Sequence, residues 1–491
     1  MSEELKISEK ISHLYQNEEY KKITGFFNEI IANSTKDLHL LNILGISLIK
    51  EESFSKALEV FEKIYEINPD HPHIKINLGN LCRLSGRFDK AIEYFNLEIQ
   101  EDSESFASFY NLSLVYEEKN DSYLALKNLN KIIDKVPTQH AQLIDDIGPK
   151  YINHLINLGK NKEAYTKNQE LLEKYPNSVE LLAKQANLCA WEDDSETAIK
   201  YYKKALSLNE NNDAIKYDLS FSLKKAGREK EVLNILKDVN YKDSRAVYIE
   251  TLFSLELKDE FLKELDDACI NFKGSRLLAD LSTYTSYLYD SDDKYPFCNN
   301  PMDFLYTRNI LDPGFVKSLI EEINNLDIDY LKQDLIHSGK QSSGNLFTFG
   351  ADKINDLKSI IINELSLYKE KFINEDQYFL KFWPKETELN GWYIDLKKGG
   401  KLYYHNHQVG WISGSVYLKI PDTKDNKEGS IEFSFNNINR KFIEGLPTKI
   451  YKPSVGDIVL FPSSLNHRVN PFNSKDDNDN RISIAFDLIP R

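Results

Sequence analysis

Apolar residues in the first half of the chain recur at helical spacing, and the pattern itself repeats every 34 residues. Gly45 and Gly79 lie one period apart, as do Ala57 and Ala91, and Phe61 and Phe95. The register continues to Ala125, with Pro69 matched by Pro137. After an insertion of five residues it resumes at Ala164, Ala198 and Val232, with Gly159 and Gly227 marking turns between paired helices. Small residues at fixed places let two antiparallel helices cross closely. A proline ends the second helix because it has no N–H to donate. One such pair cannot bury its apolar face alone, so pairs stack into an array. The pattern covers about residues 5–240, and a weaker helical pair is expected to follow to about 275.

Near 285–300 the texture changes. YDSDDKYPFCNNP is acidic and turn-rich and reads as a linker. Two helices are expected next, in DPGFVKSLIEEINNL and INDLKSIIINELSLYKEKF. From about 391 the pattern becomes short β-branched or aromatic runs between turns: WYIDL, KLYYH, GSVYLKI, SIEFSF, KIYKP, DIVLFP and RISIAFDLI. So many strands in so little chain predict a jelly roll or barrel. The expected organisation is a helical array over 1–285, a linker over 286–298 and a β-rich domain over 299–491.

Composition narrows the function classes. The net charge of −15 argues against a general nucleic-acid or anionic-membrane binder, since phosphate attracts lysine and arginine. Cys82, Cys189, Cys269 and Cys298 are scattered and form no CxxC pair, which points to reduced thiols. MSEELKISEK is charged and has no apolar core, so no signal peptide is expected. No apolar run reaches the roughly 18 residues of a membrane span. The expected location is the cytoplasm.

Three histidines fall in the strand region. His405 and His407 are two apart, so on a strand both imidazoles face one side while Asn406 turns away. His467 follows DIVLFPSSLN, where a partner strand ends. Two ligands from one strand and one from a distant strand make a facial metal site with open positions; the alternative is a surface turn and an unrelated histidine. In RISIAFDLI, Arg481, Ser483 and Ala485 share a face. A guanidinium and a hydroxyl there suit a carboxylate, whereas an edge strand would leave Arg481 in solvent. Trp392, Tyr393, Tyr403, Tyr404 and Trp411 either wall a pocket or fill the core. His13, His39, His71, His73, His140 and His154 have no ligand spacing and are expected to be structural or exposed.

Two resemblances follow. NILGISLIKEESFSKALEVFEKIYEINPD and NLGNLCRLSGRFDKAIEYFNLEIQ resemble the tetratricopeptide repeat, which implies a helical solenoid that binds a protein or peptide partner. The order His405-x-His407 … His467 … Arg481-x-Ser483 resembles the iron(II)/2-oxoglutarate oxygenases. HNHQVGWISGSVYL, PSVGDIVLFPSSLNHRVNPF and GKQSSGNLF are similar to a bacterial branch of that family related to prolyl hydroxylases. The resemblance spans about residues 300–491. It implies a double-stranded β-helix, iron(II) held by His405, His407 and His467, and 2-oxoglutarate as cosubstrate with its distal carboxylate on Arg481 and Ser483. It also implies dioxygen as oxidant and a hydroxylated product. His407 stands where most such enzymes carry Asp or Glu, so the iron site has one more positive charge. Two other readings stand beside this one. The first is a catalytically inactive scaffold whose jelly roll senses metal or 2-oxoglutarate. The second is a three-histidine metalloenzyme without 2-oxoglutarate, which the Arg481-x-Ser483 pair disfavours because that chemistry needs no carboxylate clamp.

Overall fold

The computed structural model describes residues 3–32, 36–138, 141–331, 335–423, 425–474, 476 and 479–491. The chain forms two compact units, Met1–Pro137 and Thr138–Arg491.

The first unit is helical. Its clearest pairs are Leu38–Lys50 with Phe54–Ile67 and Ile74–Leu84 with Phe88–Glu101. The 34-residue period has a steric origin here. A Cβ on Gly45 would sit 2.5 Å from the Phe61 ring, and one on Gly79 would sit 2.5 Å from the Phe95 ring. Each glycine therefore admits the phenylalanine of its own pair, and the two match positions are bound together. Phe61, Phe95, Ala57 and Ala91 are all fully buried.

The second unit begins with further helix pairs: Ala141–Asn157 with Asn161–Lys174, Val179–Trp191 with Ser195–Leu208, Asp213–Lys225 with Glu229–Leu236, and Ser244–Ser254 with Lys258–Asn271. A last helix, Arg276–Tyr289, follows. Ser178, Asp194 and Asn212 cap three of these helices by accepting a backbone N–H in the first turn. Tyr295, Phe297 and Cys298, in the stretch after the last helix, are buried.

The rest of the second unit is a curled antiparallel sheet of the jelly-roll kind, preceded and flanked by helices Pro313–Asn324 and Asp352–Lys371. Its strands are β1 (Tyr306–Asn309), β2 (Tyr330–Leu331), β3 (Ile336–Ser342), β4 (Thr387–His405), β5 (Ile412–Lys419), β6 (Ile431–Ser434), β7 (Thr448–Tyr451), β8 (Asp457–Pro462), β9 (Asn466–Val469) and β10 (Arg481–Pro490). They run in the order β1-β8-β5-β10-β4-β9-β6-β7, with β3 bonded to β2 and β4. WYIDL and KLYYH, read as two strands, are one continuous strand, β4. The KKGG between them bulges out of the ladder against β3, where the register jumps from His337–Lys401 to Gly339–Leu396.

Helix Arg276–Tyr289 docks on this sheet through one stripe. Arg276, Asp280 and Tyr284 are spaced i, i+4, i+8 and share a helix face. Arg276 donates to the carbonyls of Gln408 at 3.1 Å and Val409 at 3.3 Å. Asp280 accepts from Asn466 and pairs with Arg440 at 2.9 Å. Tyr284 donates its hydroxyl to the Lys441 carbonyl at 2.7 Å. A second junction lies further back along the repeats, where the Asn345 backbone N–H donates to the Asn157 carbonyl at 3.0 Å. Among the described residues, no helix is long and apolar enough to cross a membrane.

Candidate metal and cosubstrate site

Ladder register brings the three histidines together. His405 ends β4 and pairs directly with His467 of β9, which in turn pairs with Phe433 of β6. His407 lies two residues past the strand end, in a turn closed by the Gly410 N–H to the His407 carbonyl at 3.2 Å. That turn is held from behind. A Cβ on Gly410 would come within 2.7 Å of the Ser463 hydroxyl and 3.0 Å of the Asp487 carboxyl carbon. Trp411 anchors the next position by donating its indole N–H to the Phe379 carbonyl at 2.8 Å. The HNHQVGW run is thus a local device for placing one imidazole.

The ring centroids of His405 and His467 lie 4.4 Å apart, and each lies 5.2 Å from that of His407. One nitrogen from each ring can be chosen so that all three fall within 4.8 Å of one another. The outer nitrogens are engaged. His405 Nδ1 faces the Tyr403 carbonyl at 2.8 Å, His467 Nδ1 faces the Leu465 carbonyl at 3.5 Å, and His407 Nδ1 faces Asp487 at 2.7 Å. His407 Nε2 is buried and has no hydrogen-bond partner. A carbonyl or carboxylate behind Nδ1 fixes the tautomer that leaves Nε2 a lone pair, the arrangement of a metal-ligating imidazole.

Charge follows the same plan. Burial, with the neighbouring His407, lowers the His405 pKa to about 4. Burial and the other two rings hold His467 well below the ordinary histidine value. For His407 burial also pulls downward, but the Asp487 carboxylate outweighs it and the pKa is raised. Asp487 is itself buried and accepts a further hydrogen bond from Ser413 at 2.6 Å. A cluster with two neutral imidazoles, inward lone pairs and a carboxylate behind the third ring fits a divalent cation of the iron or zinc type.

The same cavity, of about 270 Å³, runs from these rings to Arg481 and Ser483. Arg481 is 2% exposed. Its guanidinium donates to the Gly429 carbonyl at 3.0 Å and to the Ser483 hydroxyl at 3.3 Å, and lies over the Tyr417 ring at 5.0 Å. Among the described residues no carboxylate forms an ion pair with it. Burial lowers its pKa, with Tyr417 opposing. A buried guanidinium without an anion is costly. An open cavity beside it is a place where a small carboxylate would supply the missing charge.

Sequence reasoning reached His405, His407, His467, Arg481 and Ser483, and the structure brings all five to one cavity. It stopped short on β10. Arg481, Ser483 and Ala485 were read as one face, but the alternation continues to Asp487, which also lines the cavity. Tyr417, opposite Ser483 in the ladder, was also missed; its ring lies under the Arg481 guanidinium. Of the aromatic residues, Trp392 lines the cavity, while Tyr393 and Trp411 belong to the core. Tyr404 bonds Glu432, and Tyr403 is exposed. Among the helical-array histidines, His154 is buried and His13, His39, His71 and His73 are at least partly exposed; His140 lies outside the described residues.

Comparison with known proteins agrees with this geometry. Residues 390–487 match the family described as "Putative 2OG-Fe(II) oxygenase". Residues 48–107 and 179–212 match tetratricopeptide repeat families. The chain carries tetratricopeptide repeats and a C-terminal 2OG-Fe(II) oxygenase domain. The oxygenase match holds every histidine of the cavity together with Arg481, Ser483 and Asp487. The chain is 30% identical over 137 residues to the human Protein O-mannosyl-transferase TMTC1, covering 27% of this chain and 15% of that protein. It is 24% identical over 228 residues to the TPR repeat-containing protein MJ1428 of Methanocaldococcus jannaschii, covering 42% of this chain and 39% of that protein. The chain thus spans well under half the length of these curated relatives. Among solved structures, a Pseudomonas putida prolyl-4-hydroxylase aligns at 15% identity and TM-score 0.28, covering 38% of this chain and 92% of that one. A tetratricopeptide repeat protein from Parabacteroides merdae aligns at 13% identity and TM-score 0.38, covering 48% of this chain and 93% of that one.

Proposed function

We propose that the chain is an iron(II)- and 2-oxoglutarate-dependent dioxygenase of the hydroxylase type whose repeats recruit a protein or peptide partner. The reading rests on one observation: three inward imidazole nitrogens and an anionless, buried Arg481 line the same cavity. In this reading His405, His407 and His467 hold the iron, and Arg481 and Ser483 hold the distal carboxylate of 2-oxoglutarate. Iron would supply the redox chemistry that couples loss of carbon dioxide from 2-oxoglutarate to oxygen activation. One atom of dioxygen ends in succinate and the other in a hydroxyl placed on a substrate C–H bond. The chain's own work is positional. Asp487 orients His407, Arg481 sets the direction in which the cosubstrate enters, and the apolar walls Ile394, Leu402 and Val469 limit water near the oxidant. In functional terms residues 1–285 are the array, 286–298 the connection and 299–491 the oxygenase. The scattered cysteines support a cytoplasmic location.

The test is substrate-free turnover. Purified protein given iron(II), 2-oxoglutarate and air is expected to release succinate in an iron-dependent way, above a metal-free control. Tight 2-oxoglutarate binding with no succinate would favour a sensing domain instead. Neither binding nor succinate would end the oxygenase reading.

A further inference from the structure

Within the second compact unit, hollows on the repeats border the histidine cavity. The largest, about 780 Å³, is walled by Asn161, Trp191 and Lys225 from the repeats and by Asn345, Asn390 and Trp392 from the sheet side. It shares Trp392 and Leu335 with the histidine cavity. On the repeat side it meets two more hollows, of about 360 Å³ and about 370 Å³, and all three share Trp191. Trp191 is 53% exposed at the end of helix Val179–Trp191, and Phe221, on the wall of one hollow, is 41% exposed. Both aromatics stand on the walls of these adjoining hollows, Trp191 on all three and Phe221 on one.

The polar groups of this path are also unfinished. Asn161 Oδ1, Ser222 Oγ, Ser343 Oγ and Asn390 Oδ1 are buried atoms without a hydrogen-bond partner. Asn161, Ser222 and Ser343 are each more than nine-tenths buried. Buried polar atoms are normally satisfied. Acceptors and hydroxyls spread along a path suit a ligand that offers N–H and C=O groups at intervals, as an extended backbone does. Charge narrows the class further. Glu192, Asp193, Asp194, Asp218 and Glu388 line the hollows, against Lys162 and Lys225. An acidic lining repels phosphate-bearing ligands and nucleic acid. Size argues the same way. Pockets for small ligands span about 300–1,000 Å³ in all, so a free metabolite held in the histidine cavity would leave the whole path beyond Trp392 unused.

We infer that this path is the seat of an extended, neutral-to-basic peptide segment, gripped at Trp191 and entering the histidine cavity past Trp392. For its chemistry the inference rests on the oxygenase reading above; for binding it stands alone. The test uses the full chain and a pool of degenerate dodecapeptides, with two readouts. In hydrogen exchange, the pool is expected to protect residues 179–191 and 213–225. In turnover with iron(II), 2-oxoglutarate and air, it is expected to yield peptides heavier by one oxygen atom. Trp191→Ala should lower both effects at least tenfold, with peptide-free succinate formation unchanged. Ile270→Ala, an exposed apolar residue outside these hollows, should change neither. Protection absent from both helices, or unaltered by Trp191→Ala, overturns the inference. Protection present with no succinate formed under any condition keeps the seat and removes the oxygenase reading.

Discussion

Replacing Arg481 with alanine is expected to abolish measurable 2-oxoglutarate binding while iron(II) uptake persists. The guanidinium is buried at one end of the cavity, and the histidines lie at the other. Truncating one partner of a buried charge pair costs about 2–5 kcal/mol, which is about thirty-fold to several thousand-fold in affinity. Calorimetry under anaerobic conditions reads the cosubstrate, and competition against a chelator reads the metal. Arg481 also braces the Gly429 carbonyl and lies over Tyr417, so alanine could loosen the sheet. Arg481→Lys separates the two effects. It keeps a cation but loses the fork that can grip both oxygens of a carboxylate, and it is expected to bind 2-oxoglutarate weakly in a fold of normal stability. Unchanged 2-oxoglutarate affinity in either variant would remove Arg481 from the cosubstrate site.

His407→Ala is expected to lower iron(II) affinity more than a hundredfold. Losing a residue that merely supports a ligand costs about 10–100-fold, and loss of a ligand exceeds that. The common ligand set of two histidines and one carboxylate places its anion on the metal. Here the carboxylate stands one hydrogen bond behind the third ring, as Asp487. This changes what an aspartate at position 407 can do. His407→Asp sets a second carboxylate against Asp487, and like charges in a buried site oppose joint ionisation. The single variant should therefore recover only part of the lost affinity. The double variant His407→Asp with Asp487→Asn should recover more. If His407→Ala competes for iron(II) against a chelator as well as the parent protein does, His407 is not a ligand and the metal rests on His405 and His467.

The parts of this structure that could be read from the sequence share a physical cause: local periodicity. The 34-residue repeat was visible because Gly45 and Phe61 must meet, as must Gly79 and Phe95, so neither partner drifts alone. The His-x-His pair was legible as a spacing, but only His405 lies on the strand; the turn after it, rather than strand alternation, aims His407. β4 divides in two on sequence because Lys397, Lys398, Gly399 and Gly400 have turn composition; they do bulge out of the ladder with β3, but pairing resumes at Lys401 and the strand continues. β1 and β3 are not legible because they are polar and mostly exposed, so no apolar alternation marks them. Asp487 was within reach, two steps along a face already identified. Arg276 and Asp280 were not, since their partners in the sheet are far away in sequence and no period connects them.

Helix Arg276–Tyr289 cannot be assigned to one half of the molecule by its bonds. Arg276 holds the turn just after His407, and Asp280 holds Asn466, the neighbour of His467. If the helix frays, Arg440 keeps a buried charge with its Asp280 partner withdrawn, and losing one side of such a pair costs about 3–5 kcal/mol. Opening the end of the repeats and loosening the histidine cluster are therefore one event on the free-energy scale of local unfolding. The last turns of the solenoid act as the floor on which the histidine cluster is built, and the cluster is as rigid as that floor.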